Sequence, residues 1–323
     1  MLDNNEKLGA FIVPTGIGAS IGGFAGDASP YARKFTQLGK LIVNPNVVNA
    51  GCFSGINDKM LYVEGYSLDE FFKGKLSLKE ATNNKIGVVF DKAIPKDVLN
   101  VHINTINAVK AVYGIDIYGY EVTKNNVGVE FYVNEQGIST GYVSDVTTLK
   151  NSAINLINQG CNAIAIVCLF DDETNEDYEN GVGVDPVGGV EAILSHYISK
   201  ELEIPCAHSP AFCNFQISPK LVSGKSASEY ITPTFLPCIL IGLNQAPLLN
   251  GNITIDNLDY LIMPANALGS IPVFEALKRN IPVYAVNENV TLLNVTNESI
   301  NKKCGIKIVD TYDECMELIA NGK

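Results

Sequence analysis

The sequence predicts an α/β protein with mainly parallel, doubly wound sheet architecture and helices on both faces. Three observations carry this expectation. Short β-rich runs alternate with helical patterns almost throughout. Most of those runs are apolar at every position rather than at alternate ones, as strands covered on both faces are. The chain also has 323 residues, 46% of them hydrophobic, enough for one large core or two ordinary ones.

Taken in order, the expected strands are Ala10–Pro14, Lys40–Val43, Leu61–Val63, Ile86–Phe90, Val127–Val133, Ala163–Phe170, Pro205–His208, Ile239–Leu243, Tyr260–Met263, Val283–Val286 and Ile306–Val309. Val127–Val133 has hairpin character, with a turn at Asn134 to Gly137. The clearest helix is Pro186–Leu202, where Val190, Ile193, Leu194, Tyr197, Ile198 and Leu202 form one stripe behind an Asp185-Pro186 start signal. Helices are also expected at Pro272–Lys278 and Tyr312–Ala320, after strand-like runs. The polar, turn-rich stretch Asn134–Lys150 suggests two α/β domains, 1–140 with a Gly-rich loop and 141–323 with a Cys/His cluster. The strands before Gly16, Asn44 and Asp171 are expected in one sheet.

Composition narrows the function. Lys and Arg total 23 against 35 Asp and Glu, a net charge of −12. That balance disfavours nucleic acid and anionic membrane surfaces, both of which require basic patches. No apolar run reaches the roughly 20 residues that span a bilayer. The start MLDNNEKLGAF lacks a basic segment followed by an apolar one, so a cytoplasmic location is expected. None of the eight cysteines forms a CxxC pair or a zinc spacing, which suits reduced thiols and no metal site.

Four segments could carry chemistry. Val13 to Asp27 places five glycines directly after a buried strand, where backbone N–H groups can approach a ligand. Thr15, Gly16, Gly18, Gly22 and Gly23 are its candidate ligand contacts. The spacing G-x-G-x-x-x-G misses the dinucleotide fingerprint by one residue and has no G-K-[ST], so no cofactor is expected. Asp27 is either a general base or a cap for the helix beginning near Ser29. Asn44 to Cys52 offers Asn46 and Asn49 at a second strand end, as a polar wall or as turn formers. In Pro205 to Pro210, Cys206 and His208 share a strand face, and a thiol beside an imidazole can become a nucleophile or base. His102 reads as a surface residue and His196 as helix-flank packing. Pro237-Cys238 repeats the Pro-Cys pair, and two thiols across a substrate suit proton abstraction and return. Glu64, Asp171, Asp172, Asp185 and Glu288-Asn289 complete the candidates, as ligand contacts or as solvated loop groups.

The segments PTGIGASIGGFAGDA, NPNVVNAG, YVEGYSLD, GVDPVGGVEAILSH, IPCAHSP and TFLPCILIGLNQAP together resemble an uncharacterised domain-of-unknown-function family known mainly from photosynthetic organisms and plastids. The resemblance runs from about Phe11 to Pro247. Thr15, Asp27, Asn46, Glu64, Asp185, Cys206, His208 and Cys238 match that family's pattern, whereas Asn44 stands where the family has His and Cys52 where it has no Cys. This implies a shared site and no particular reaction. GCNAIAIVC is also faintly similar to a strand of the aspartate/glutamate racemases, which work with two thiols.

These readings lead to a cofactor-independent isomerase, racemase or lyase acting on a small carboxylate or amide-like metabolite. Cys206, Cys238 and His208, with Asp27 or Asp185, would move the proton. The alternatives are a thiol-dependent hydrolase using Cys206 and His208, or a sensor binding a phosphorylated or nucleotide ligand at the Gly-rich loop. The expected partner is a small molecule, with a homo-oligomer possible on composition alone.

Overall fold

The architecture comes from a computed structural model, which describes residues 6–171, 176–214, 217–300 and 305–322. Asp172 and Cys304 lie outside the described residues. In chain order the principal strands are β1 (Lys7–Phe11), β2 (Gly39–Val43), β3 (Met60–Tyr62), β4 (Ile86–Phe90), β5 (Ile117–Val122), β6 (Val129–Val133), β7 (Ser139–Val143), β8 (Ala163–Phe170), β9 (Cys206–Phe212), β10 (Tyr260–Pro264), β11 (Val283–Val286) and β12 (Ile306–Val309). The helices that shape the site are α1 (Ser29–Phe35), α2 (Gly65–Phe72), α3 (Lys96–Tyr113), α4 (Val146–Asn158), α5 (Gly188–Leu202), α6 (Ala227–Tyr230), α7 (Leu236–Asn244), α8 (Ile271–Lys278) and α9 (Tyr312–Ala320).

Two parallel sheets result. One has six strands in the order β12-β11-β10-β1-β2-β3, and the other has four in the order β9-β8-β4-β5. Both are covered on two faces, which explains the unbroken apolar runs. On the six-stranded sheet, Ala32 and Phe35 of α1 and Tyr312 and Cys315 of α9 pack on one face. Leu68 and Phe71 of α2 and Val273 of α8 pack on the other. One buried cluster runs from Phe11 and Val43 of the first sheet to Val88 and Val167 of the second, joining them through one core. The expected α/β class with parallel sheets therefore holds.

Three expectations about organisation are corrected. The sheets do not part at residue 140: β4 and β5 lie before it and pair in one sheet with β8 and β9 beyond it. The six-stranded sheet takes strands from both ends of the chain and encloses the four-stranded unit in sequence. The strands before Gly16 and Asn44 are neighbours in the six-stranded sheet, but the strand before Asp171 belongs to the other. Parallel β pairing is indifferent to sequence distance, so a local polar stretch is a poor guide to a sheet boundary.

The third correction is Ile239–Leu243, expected as a strand and found within helix α7. Pro237 falls in the first turn, where its missing N–H costs nothing. The helix is buried on almost every side between the four-stranded sheet, α3 and the short hairpin at residues 49–54. A continuous apolar run in such a place carries no period to distinguish helix from strand. The hairpin expected near residue 134 is present as β6 and β7, closed by Asn134, whose Oδ1 accepts the N–H of Gln136 and Ile138.

Candidate active site

The carboxyl ends of β1, β2, β8 and β9 converge on one cavity of about 440 Å³, closed by the starts of α5 and α7 and by α6. Clefts at the carboxyl ends of parallel strands are where α/β proteins hold ligands. Thr15, Gly16, Gly18, Gly23, Asn46, Asn49, Asp185, His208 and Cys238 all line it. Gly22, Asp27, Glu64 and Cys206 do not.

The Gly-rich loop is shaped by its own side chains. Gly22 adopts φ +78°, a left-handed conformation, and its N–H donates to Asp27 Oδ1 at 2.9 Å. The Phe24 N–H donates to the same oxygen at 3.3 Å. Asp27 is thus the anion that this part of the loop holds, and it neither lines the cavity nor caps α1, whose start has no side-chain cap. Burial pushes its carboxyl up to about 6 against those two N–H donors. Gly23 is required for a different reason: a Cβ there would stand 1.9 Å from the Ala19 carbonyl oxygen. Asn289 clamps the loop from the C-terminal part of the chain. It accepts the Ile21 N–H at 3.0 Å and donates to the Ile21 carbonyl at 2.8 Å.

The neighbouring asparagines divide the same way. Asn44 pairs with both backbone groups of Val13, at 3.0 and 2.7 Å, and is buried. This is a clamp between adjacent strand ends. Asn46 donates to the Pro14 carbonyl at 3.1 Å and still borders the cavity.

The opposite wall holds the titratable groups. His208 Nδ1 lies 2.8 Å from Ser195 Oγ on α5. The Ser195 hydroxyl donates to the Ala192 carbonyl at 3.3 Å and also lies beside the Glu64 carboxyl, whose pKa it lowers and which accepts the Tyr62 hydroxyl at 3.0 Å. Asn49 donates to Tyr62 Oη at 3.2 Å. A buried chain therefore runs from His208 through Ser195 and Glu64 to Tyr62 and Asn49, with both ends at the cavity. Burial, reinforced by His196, pushes the His208 ring down to about 3, so it is neutral at ordinary pH. Burial lifts Glu64 to about 8 despite its two donors.

Three of the further carboxyls that border the cavity are raised by burial. Glu229 is lifted to about 8 by burial and by Asp185, with the Tyr178 hydroxyl opposing the shift. Asp185 is raised by burial, opposed by the N–H groups of Val187 and Gly188. Glu191 is raised well above the usual carboxylate range by burial, then by Asp185, Glu64 and Glu229. Its Oε1 is buried without a hydrogen-bond partner.

The two-thiol arrangement is corrected. Cys206 packs with Ile164 and Ile166 on the α4/α5 face of the four-stranded sheet, whereas Cys238 packs with Ala207 and Ala211 on its α7 face. Cys206 borders only a separate pocket of about 10 Å³, roughly the room of one water. Cys206 and His208 do share a strand face, but His208 turns to Ser195 rather than to sulfur. Cys238 lines the cavity as a thiol that burial pushes up to about 12, and its Sγ donates to the Phe235 carbonyl at 3.1 Å.

His102, expected at the surface, is buried in α3, with Nδ1 2.9 Å from the Val98 carbonyl. Asp185 lies three residues before Gly188, the start of α5, and its Oδ1 accepts the Val187 N–H, so it shapes the turn before the helix rather than serving as its N-cap. Asp171 borders the cavity from an exposed position.

Glu191, Ser195 and Glu229 escaped the sequence reading. The first two had a signal. The buried face of α5 runs through Val190, Glu191, Leu194, Ser195 and Ile198, while Ile193 is exposed. A carboxylate and a hydroxyl four apart inside a buried stripe are out of place in a purely structural helix.

Among the described residues, no group of three or more His, Cys, Asp or Glu is arranged to hold a metal ion, and no helix is long and apolar enough to cross a membrane. The chain is 36% identical over 296 residues to an uncharacterized lipoprotein of Synechococcus sp., an alignment covering 88% of this chain and 82% of the relative. No solved structure matches. The family described as protein of unknown function (DUF3326) matches residues 9–323, and the chain belongs to it.

Proposed function

We propose that this member of the DUF3326 family is an enzyme of isomerase or lyase type that moves a proton on a small polar metabolite, without a metal or nucleotide cofactor. The observation that carries the reading is the hydrogen-bonded chain from His208 through Ser195 to Glu64, one end of which borders the cavity. A neutral imidazole held near 3 is a weak base alone. Coupled to Glu64 it need not become an imidazolium. With Glu64 in the ionised form that it reaches as pH approaches about 8, His208 Nε2 takes the substrate proton, Nδ1 passes its own proton to Ser195 Oγ, and the Ser195 hydroxyl proton goes to the Glu64 carboxylate. The bonding pair stays on the substrate, delocalised into an adjacent carbonyl group. Return of a proton to the other face or a neighbouring atom gives an isomer. Loss of a leaving group gives a lyase product.

This replaces the roles expected for Cys206 and Cys238, and it removes the support for a thiol hydrolase. A ligand-sensing role at the loop is also less supported, because Asp27 occupies two of the loop's N–H donors. We further propose that the chain works in the cytoplasm, with a small-molecule partner, no nucleic acid and no membrane, and as a homo-oligomer. The relative's name, lipoprotein, points the other way on membranes, and fractionation of the native protein separates the two.

The test is incubation of the purified protein with pooled metabolites in heavy water, followed by NMR. Deuterium entering one metabolite, and failing to enter with His208→Gln, is the expected result. Tight binding of a metabolite with no exchange, unaffected by His208→Gln, would favour the sensor.

A further inference from the structure

The cavity's charge is one-sided. Asp185, Glu191 and Glu229 border it, and no lysine or arginine is among its described lining residues. Lys225, next to the Phe24 ring that borders the cavity, is engaged with the Ser20 carbonyl, to which it donates at 2.6 Å.

Glu191 is the informative member. It sits in the first turns of α5, only 6% exposed, in the stripe that packs α5 on the four-stranded sheet. Its Oε1 has no hydrogen-bond partner, although a buried carboxylate that serves packing alone is normally paired. The groups that face it from the surrounding elements are Asp185, Glu64, Glu229 and the thiols of Cys168 and Cys238. All are acids, so none of them offers it a positive partner.

We propose that the cavity takes its ligand by a protonated amino group seated between Glu191 and Glu229. This rests on the reading of the cavity as the working site and adds the chemical class of the ligand's head. An ammonium supplies three donors and one positive charge, which matches an unpartnered carboxylate oxygen beside a second carboxylate. An anionic ligand end at this wall would instead meet three carboxyl groups and no lysine or arginine among the described lining residues. The cavity of about 440 Å³ admits such a head on a short carbon chain.

The test uses three probes of the same carbon chain, n-butylammonium, n-butanol and butyrate, titrated into the full chain by calorimetry and NMR. Butylammonium is expected to bind more tightly than butanol by about tenfold or more, and butyrate not at all. Glu191→Gln should lower butylammonium affinity about tenfold and leave butanol unchanged. Affinity for butylammonium should also rise as pH passes upward through about 8, where Glu229 gives up its proton. Butyrate binding in the cavity, butylammonium binding no tighter than butanol, or indifference of butylammonium to Glu191→Gln would each overturn the proposal. Deuterium exchange that persists alongside any of those results would sink the ammonium site while leaving the proton-transfer reading intact. Loss of both would sink the site as a whole.

Discussion

The two walls of the cavity treat their polar groups in opposite ways. In the Gly-rich loop, the N–H groups of Gly22 and Phe24 turn inward to Asp27, and Asn289 holds Ile21 from both sides. On the β9–α5 wall, Glu191 keeps an oxygen without a partner and His208 is tied only through Nδ1 to a buried relay. The first wall is self-satisfied and gives the cavity its shape. The second carries the unmet hydrogen-bonding capacity, and that is where chemistry is expected. A glycine-rich loop after a strand is thus a weak pointer to ligand contact until its own side chains have been counted.

The comparison can be broken by substitution. The largest expected effect is on the side-chain wall: His208→Gln should lower turnover by about a hundredfold to ten-thousandfold, read by deuterium exchange, with the thermal midpoint nearly unchanged. Wild-type rate is expected to rise as pH approaches about 8, where Glu64 ionises; Glu64→Gln and Ser195→Ala should lower turnover less than His208→Gln, by about ten- to a hundredfold, and should flatten that rise. A merely structural role would leave that profile in place.

On the loop wall, effects should fall on stability. Gly23→Ala should destabilise by about 3 kcal/mol or more, measured by denaturant unfolding, because the added Cβ meets the Ala19 carbonyl in a backbone with little room to move. Asp27 has a raised carboxyl in the folded state, at about 6. The folded protein therefore binds its proton more tightly than the unfolded chain, and this site's contribution to stability falls as pH rises from about 4 through about 6. Asp27→Asn should remove about 3 kcal/mol of that decline, seen as the difference between the two pH–stability curves. A decline unchanged in the variant would show that Asp27 is not the group responsible.

The smallest expected effect on turnover belongs to Cys206→Ser. Outside the cavity, it should change rate by less than about twofold, while a hydroxyl in an apolar setting costs about 1–3 kcal/mol of stability. Abolished exchange with an intact fold would restore a thiol mechanism.

The parallel α/β character was legible because strands buried on both faces cannot hide their apolar runs. Ala163–Phe170 and Tyr312–Ala320 were read to the residue. Helix α7 was not, because burial on nearly every side erased its period. The site was legible where the residue type was itself unusual: His208 within β9, Asn46 just after β2 and Asp185 just before α5 all border the cavity. It was illegible where function depends on which face a residue takes. Cys206 and Cys238 share a Pro-Cys pair in sequence, yet one lies on a strand and the other on a helix, and the sheet stands between them. Glu191 was hidden because the apolar stripe of α5 was placed a fraction of a turn away, through Ile193 and Tyr197.

The enclosure of one sheet by the other sets an order of assembly. β1 pairs with β10, so Gly9 meets Tyr260 across 251 positions of chain. During synthesis all four strands of the smaller sheet have emerged with β9, and its covering helix α7 follows soon after. The first three strands of the larger sheet must wait with an open edge beside β1 until β10, β11 and β12 arrive. Closing so long a loop is slow, and an exposed parallel edge invites wrong partners. The Gly-rich loop, clamped by Asn289, takes its final shape only in the last stage of folding. The cavity therefore becomes competent only when the chain is nearly finished.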